Sequence, residues 1–177
     1  MSRIRIKAGK KIYQIIKDGG FKFDSVSTYF GPAVGPRWLV ASGFDLTLLK
    51  GGYLGRTKPV QLVGTSAGAF RFAAWIQPEA LQSYQKLLDA YISVPYTRKD
   101  TPATALAKIT DIINGYLEDD ALSFALANKK YRLVIITART RGLITFENHW
   151  IQKTGLILCL VFNYFSRNNI YKFADRV

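Results

Sequence analysis

Gly64-Thr65-Ser66-Ala67-Gly68 sets a serine among small residues in a G-x-S-x-G box. An apolar run, Val60-Gln61-Leu62-Val63, leads into it, and a helix-prone run from Ala67 to Trp75 leads out. A serine on a sharp strand-to-helix turn has its hydroxyl pushed clear of the backbone, as an acyl-transfer nucleophile requires. Small residues on either side, Gly64 and Gly68 above all, let such a turn close. The helix that follows offers unpaired N–H groups, beginning with Ala67, and a positive dipole end to an oxyanion. The same box also has a plain structural reading: a βα turn whose serine caps the helix.

A serine nucleophile needs an oxyanion site and a base. The segment Gly31-Pro32-Ala33-Val34-Gly35-Pro36 follows the first β-prone run and precedes a helix, so its amides belong at the sheet edge of Ser66. Pro36 has no N–H, which leaves Gly35 and Val34 as oxyanion donors with Ala67. Arg37 is a candidate contact for an anionic substrate group. A βα turn shaped only by glycine and proline is the alternative. For the base, the order Ser66, then Asp111, Asp119 or Asp120, then His149 is that of an α/β-hydrolase triad. Such folds have several strands before the box, however, and only one is visible here. His149, the sole histidine, also stands at an apparent helix start, where an idle role is common.

The elements that must position these groups alternate between the two periods. Residues 8–18 read as a helix with Ile12, Ile15 and Ile16 on one face, ended by Gly19-Gly20. Ser25 to Phe30 reads as a first strand, and Arg37 to Leu49 as a helix opened by Pro36. Pro59 to Val63 is the second strand, followed by the serine turn and a helix to Ile76. Helices are expected at 78–91, 102–114 and 118–128, then a buried strand from Tyr131 to Thr137. His149 to Phe165 fits either period and is taken as helix. Arg139-Thr140-Arg141-Gly142 reads as a turn, and residues 167–177 as the start of another strand. This alternation predicts one α/β domain over 1–177 with a largely parallel sheet. Asp45 is polar among apolar neighbours and is expected to pair with Arg37 or Arg71. Ser42-Gly43 is expected to let its helix pack close to the sheet.

Composition narrows the function classes. The chain has 177 residues, 49% of them hydrophobic, which is enough for a real core. A single Cys, Cys159, rules out an internal disulfide, and with one His it leaves too few soft ligands for zinc. Cys159 lies in the apolar run Gly155 to Phe162 and is expected to be a buried thiol. No run reaches membrane-span length and no secretory h-region follows the basic N-terminus, so a cytoplasmic protein is the expectation. The net charge of +13 is scattered and no nucleic-acid motif accompanies it. A solvated face, or peripheral contact with an anionic membrane, is expected instead.

The order of glycine-rich loop, helix, strand and Gly64-Thr65-Ser66-Ala67-Gly68-Ala69 resembles the patatin-like phospholipase family. Gly31 to Asp45, with its Gly35-Pro36-Arg37-Trp38, is similar to the bacterial branch whose loop runs G-G-P-K-W. Arg71-Phe72-Ala73-Ala74 fits that branch too. The resemblance implies a three-layer α/β/α sandwich, here incomplete at its C-terminus. It also implies hydrolysis of lipid acyl esters by a Ser–Asp dyad, with no catalytic His and no metal or organic cofactor. Ser66 takes the nucleophile's place and the 34–37 loop that of the oxyanion hole. Val34 stands where glycine is usual, and a β-branched residue is costly there if φ is positive.

The dyad aspartate of the family sits in a D-G-G or D-G-A motif downstream of the serine. The one match, Asp18-Gly19-Gly20, precedes the first strand at a helix end, where glycine does ordinary capping. No Asp-Gly follows Ser66. The expectation is a chain that stops before its base and hydrolyses weakly, since an unassisted serine is a poor nucleophile. A lipid- or partner-binding remnant is the non-catalytic alternative. Trp38, Tyr53 and Trp75 are the aromatics that would serve such an interface, unless they are core.

Overall fold

In the computed structural model, which describes residues 7–95, 97 and 100–177, three parallel strands carry the fold. They are β1 (Thr28–Gly31), β2 (Val60–Gly64) and β3 (Tyr131–Ile135), in the order β1-β2-β3. The register sets Gly31 beside Gly64 and Gly64 beside Ile135, so all three strands end at one edge. Between β1 and β2 run a 3₁₀ segment, Gly35–Ala41, and the helix α2 (Ser42–Gly51). Gly52 ends α2 in the left-handed region at φ 55°. The second crossover holds α3 (Ala67–Trp75), α4 (Ala80–Ser93), α5 (Pro102–Tyr116) and α6 (Ala121–Ala127). A Thr101/Thr104 capping box opens α5.

The core lies between the sheet and α2 to α5. Trp38, Leu48, Leu62, Phe72, Trp75, Tyr84 and Leu87 are buried there. Tyr29 faces this side and meets the rings of Phe72 and Trp75 at 5.2 and 5.6 Å. The alternate residues Thr28, Gln61 and Arg132 pair across the other face and are exposed, as are Phe30 and Val134. The described residues therefore form an α/β fold with helices over one face of a small parallel sheet.

Sequence periodicity places α1 (Lys10–Gly19), α7 (His149–Phe165) and the helices of the second crossover within about three residues, but the helix expected from Arg37 begins only at Ser42, because residues 35–41 wind as a 3₁₀ segment. It fails at the C-terminal part: β3 ends at Ile135 and is buried only at Tyr131, with Val134 and Ile135 exposed, and Arg167–Lys172 winds as a 3₁₀ segment before any strand begins. Residues 139–142 do not form a turn. Ala138–Thr140 is a strand, β4, and it pairs antiparallel with β5 (Ala174–Arg176) in a separate two-stranded sheet. Three-residue strands carry too little alternation to read. The apolar run Gly155 to Phe162 is helical but not core: only Gly155 is buried, against Leu143 and Ile144, and Cys159 is half-buried. Gly43 meets nothing within 4 Å of a Cβ, so it permits no close packing on the sheet. No helix is long and apolar enough to cross a membrane, as far as the described residues go.

Candidate active site

Ser66 stands between the last residue pair of β2 and the first turn of α3, at φ 51° and ψ −123°. It is the one non-glycine residue with positive φ among the described residues. An L-residue in that conformation is strained by about 1–3 kcal/mol and persists only where its surroundings enforce it. The enforcement here is close backbone packing. A Cβ on Gly64 would come within 2.6 Å of the Ala69 backbone, and one on Gly68 would run into the carbonyl of Gly31. Gly31 in turn has no room, because Phe72 and Gly68 would lie 2.8 and 2.9 Å from its Cβ. Thr65 N–H donates to the Gly31 carbonyl at 3.0 Å, tying the turn to β1. The two glycines of the box are thus steric requirements of one β1–β2–α3 junction.

The capping reading of the serine fails on this geometry. Ser66 is exposed and its side chain makes no capping hydrogen bond to α3. Its carbonyl alone serves the helix, accepting from Ala69 and Phe70 at 2.8 and 3.2 Å. The Ala67 N–H, first of α3, finds no backbone acceptor among the described residues. A free hydroxyl beside a free helix-terminal N–H is what an oxyanion-stabilised acyl transfer uses.

The 31–37 loop starts at the same strand edge. Gly35 adopts φ 53° with open space around its Cβ position, so conformation rather than crowding calls for glycine. Val34 sits at φ −124°, outside the left-handed region, and carries no backbone penalty. The glycine usual at its place in the patatin-like pattern is therefore not needed for this turn. Val34 O accepts the Arg37 N–H at 3.3 Å, while the Val34 and Gly35 amides have no backbone acceptor among the described residues. Arg37 is exposed.

Carboxylates are present, but none is hydrogen-bonded to Ser66 among the described residues. Asp45 is fully buried and its oxygens are already occupied. Arg71 donates from Nε and Nη2 at 2.8 Å each, Tyr29 Oη at 2.7 Å and Tyr84 Oη at 2.5 Å. This pair, with Arg71 rather than Arg37, joins α2, α3, β1 and α4 behind the serine turn. Burial first, then the Asp45 charge, push the Tyr29 and Tyr84 phenols above their ordinary value. Burial opposes the Arg71 charge, but Asp45 outweighs it and the guanidinium is held more firmly protonated than usual. Sequence reading found Asp45 and missed both tyrosines. The usable signal was physical, since a carboxylate on a core-facing helix must find donors.

None of the alternative bases is hydrogen-bonded to the serine among the described residues. His149 is exposed at the N-terminus of α7, just after the Asn148 cap, and shares no hydrogen bond with Ser66 among the described residues. Asp111, Asp119 and Asp120 are exposed, and none of them is bonded to His149 among the described residues. Asp18 accepts from Gln14 within α1, and Gly20 at φ 74° closes that helix. This is the ordinary capping expected of Asp18-Gly19-Gly20, and it lies before the start of β1, at the far end of the sheet from Ser66. Of the aromatics offered for an interface, Trp38 and Trp75 are core and Tyr53 is half-buried, stacked on Phe23 at 5.0 Å.

No group of three or more His, Cys, Asp or Glu residues that could hold a metal occurs among the described residues. No family model, curated protein or solved structure matches the chain.

Proposed function

We propose that Ser66 is the nucleophile of a patatin-like serine acyl hydrolase acting on lipid esters. The observation that carries this reading is the strained backbone of Ser66, with its hydroxyl exposed and unbonded on a strand-to-helix turn. A capping serine would have relaxed φ and a bond to N2 or N3. In the proposed reaction the hydroxyl attacks the ester carbonyl, and the oxyanion is met by the N–H groups of Ala67, Gly35 and Val34. The alcohol leaves with the serine proton and an acyl-serine remains, which water hydrolyses. A patatin-like fold belongs to this proposal, with the described residues supplying the sheet and the helical layer on one of its faces. So does contact with lipid as substrate.

Slow turnover is part of the same proposal. No imidazole or carboxylate is hydrogen-bonded to Ser66 among the described residues, and the nearest buried acid in sequence, Asp45, has no free lone pair for a proton. A base-poor serine is acylated by activated esters and released slowly. A p-nitrophenyl acyl ester tests this. The expected outcome is up to one acyl group per chain, mapped to Ser66, with slow steady-state release and none in Ser66→Ala. Acylation elsewhere, or none, overturns the nucleophile. Fast turnover that survives His149→Ala overturns the slow-release half alone.

A further inference from the structure

Tryptophans 38 and 75 are packed in the core, but the third, Trp150, is 77% exposed on α7. It heads a stripe along that helix. Trp150, Ile157, Leu160, Val161 and Tyr164 fall within a narrow arc at 100° per residue, and all are exposed. From Trp150 to Tyr164 the stripe runs about 21 Å along the 17-residue helix. The opposite side is what holds the helix: Gly155 sits on Leu143 and Ile144, and Asn169 donates to the Phe162 carbonyl at 2.8 Å. A helix apolar on the side turned to water must be covered by something.

Charge selects the cover. No acidic residue occurs in α7. Lys153 lies within the stripe, its ammonium 5.5 Å from the Trp150 ring, and Arg167 and Lys172 follow the helix. A second copy of the chain would bring another +13 against the first. An anionic bilayer complements the cations, and the aromatic residues at the two ends of the stripe, Trp150 and Tyr164, suit its headgroup level.

Position agrees with this choice. Ile136 N–H donates to the Gly64 carbonyl at 2.9 Å, so the chain leaves β3 toward α7 at the very edge that carries Ser66. The lysine-bearing amphipathic helix α1 closes an apolar groove of about 610 Å³ with Phe21 and Val26. That groove reaches Thr28, at the opposite end of β1.

We propose that α7 lies in the surface plane of an anionic lipid bilayer, with the Trp150–Tyr164 stripe in the acyl boundary and Lys153 at the phosphates. The proposal rests on the lipid-ester reading for its purpose, but vesicle binding is measured without hydrolysis, so either can fail alone. The test is sedimentation of the full chain with phosphatidylcholine vesicles, with and without phosphatidylserine, together with tryptophan emission. Binding is expected only with phosphatidylserine and weakens with salt. Emission shifts to the blue on binding, and Trp150→Phe abolishes the shift because Trp38 and Trp75 are already dry. Ile157→Asp/Leu160→Asp is expected to weaken binding at least about tenfold. Should that pair fold poorly, quenching of Trp150 by brominated lipid in the unaltered chain gives the same answer. Three results overturn the proposal: no binding to anionic vesicles, binding lost on Ile15→Asp in α1 rather than on the α7 pair, or a dimer that the α7 pair dissociates.

Discussion

The body that carries Ser66 hides two of the three tryptophans, while the segment from β4 onward leaves the third in water. Between Thr28 and Tyr131, rings and aliphatic side chains pack in one cluster around the sheet. Past Tyr131, the only buried residue among those described is Gly155, a residue with no side chain. Both regions are rich in apolar residues, so composition does not separate them. What separates them is partnership: β1, β2, α3 and α4 cover each other, whereas α7 is braced on one side only. The first region can hold a strained serine because its neighbours are packed closely around the turn. The second can meet a surface because its apolar residues are not yet spent on the core.

The largest effect expected from breaking this contrast lies at the buried ion pair. Asp45→Ala leaves the Arg71 guanidinium buried without its counter-charge and two phenols without an acceptor. The loss is expected to be about 3–5 kcal/mol in urea denaturation. Asp45→Leu/Arg71→Met should recover much of it, since the pair costs most when half of it remains. Recovery would show that the network is a brace rather than a proton donor to the site.

Alkaline pH reaches the same region without mutation. Burial raises the Tyr131 phenol to about 12, and it also raises Tyr29 and Tyr84. Unfolded, these groups ionise near pH 10, so above it the unfolded chain binds fewer protons than the folded one. Stability is therefore full below about pH 10 and falls as pH rises toward about 12. Phenolate absorbance of these tyrosines should appear together with loss of the far-ultraviolet helical signal, not before it.

Gly68→Ala tests the junction itself. The new methyl would meet the Gly31 carbonyl, and the expected cost is about 1–3 kcal/mol, with loss of Ser66 reactivity. At the small end, Leu160→Asp on α7 should change stability by no more than about 0.5 kcal/mol, because an exposed side chain loses no packing. A large loss there would mean that α7 is core after all.

Much of this was legible in the sequence, and the reasons are local. The serine turn is written in adjacent residues, because glycine at 64 and 68 is demanded by contacts within one β–α unit and with the neighbouring strand. Most helix bounds follow from period, with capping side chains at the starts of α5 and α7, while the start of α2 does not. The Asp45–Arg71 pair was legible only as a need, since its partners lie 16, 26 and 39 residues away. Exposure of α7 was not legible at all: an apolar helix has the same sequence whether buried or waiting for a cover. The β4–β5 pairing failed for lack of length.

Reactivity of one hydroxyl decides the account. A fluorophosphonate probe reports an activated serine without needing the right substrate, and peptide mapping assigns it. The prediction is labelling of Ser66 in the folded chain, none after urea unfolding or in Ser66→Ala, and undiminished labelling in His149→Ala. No labelling of folded protein, or labelling that spreads over serines of both regions alike, would contradict it.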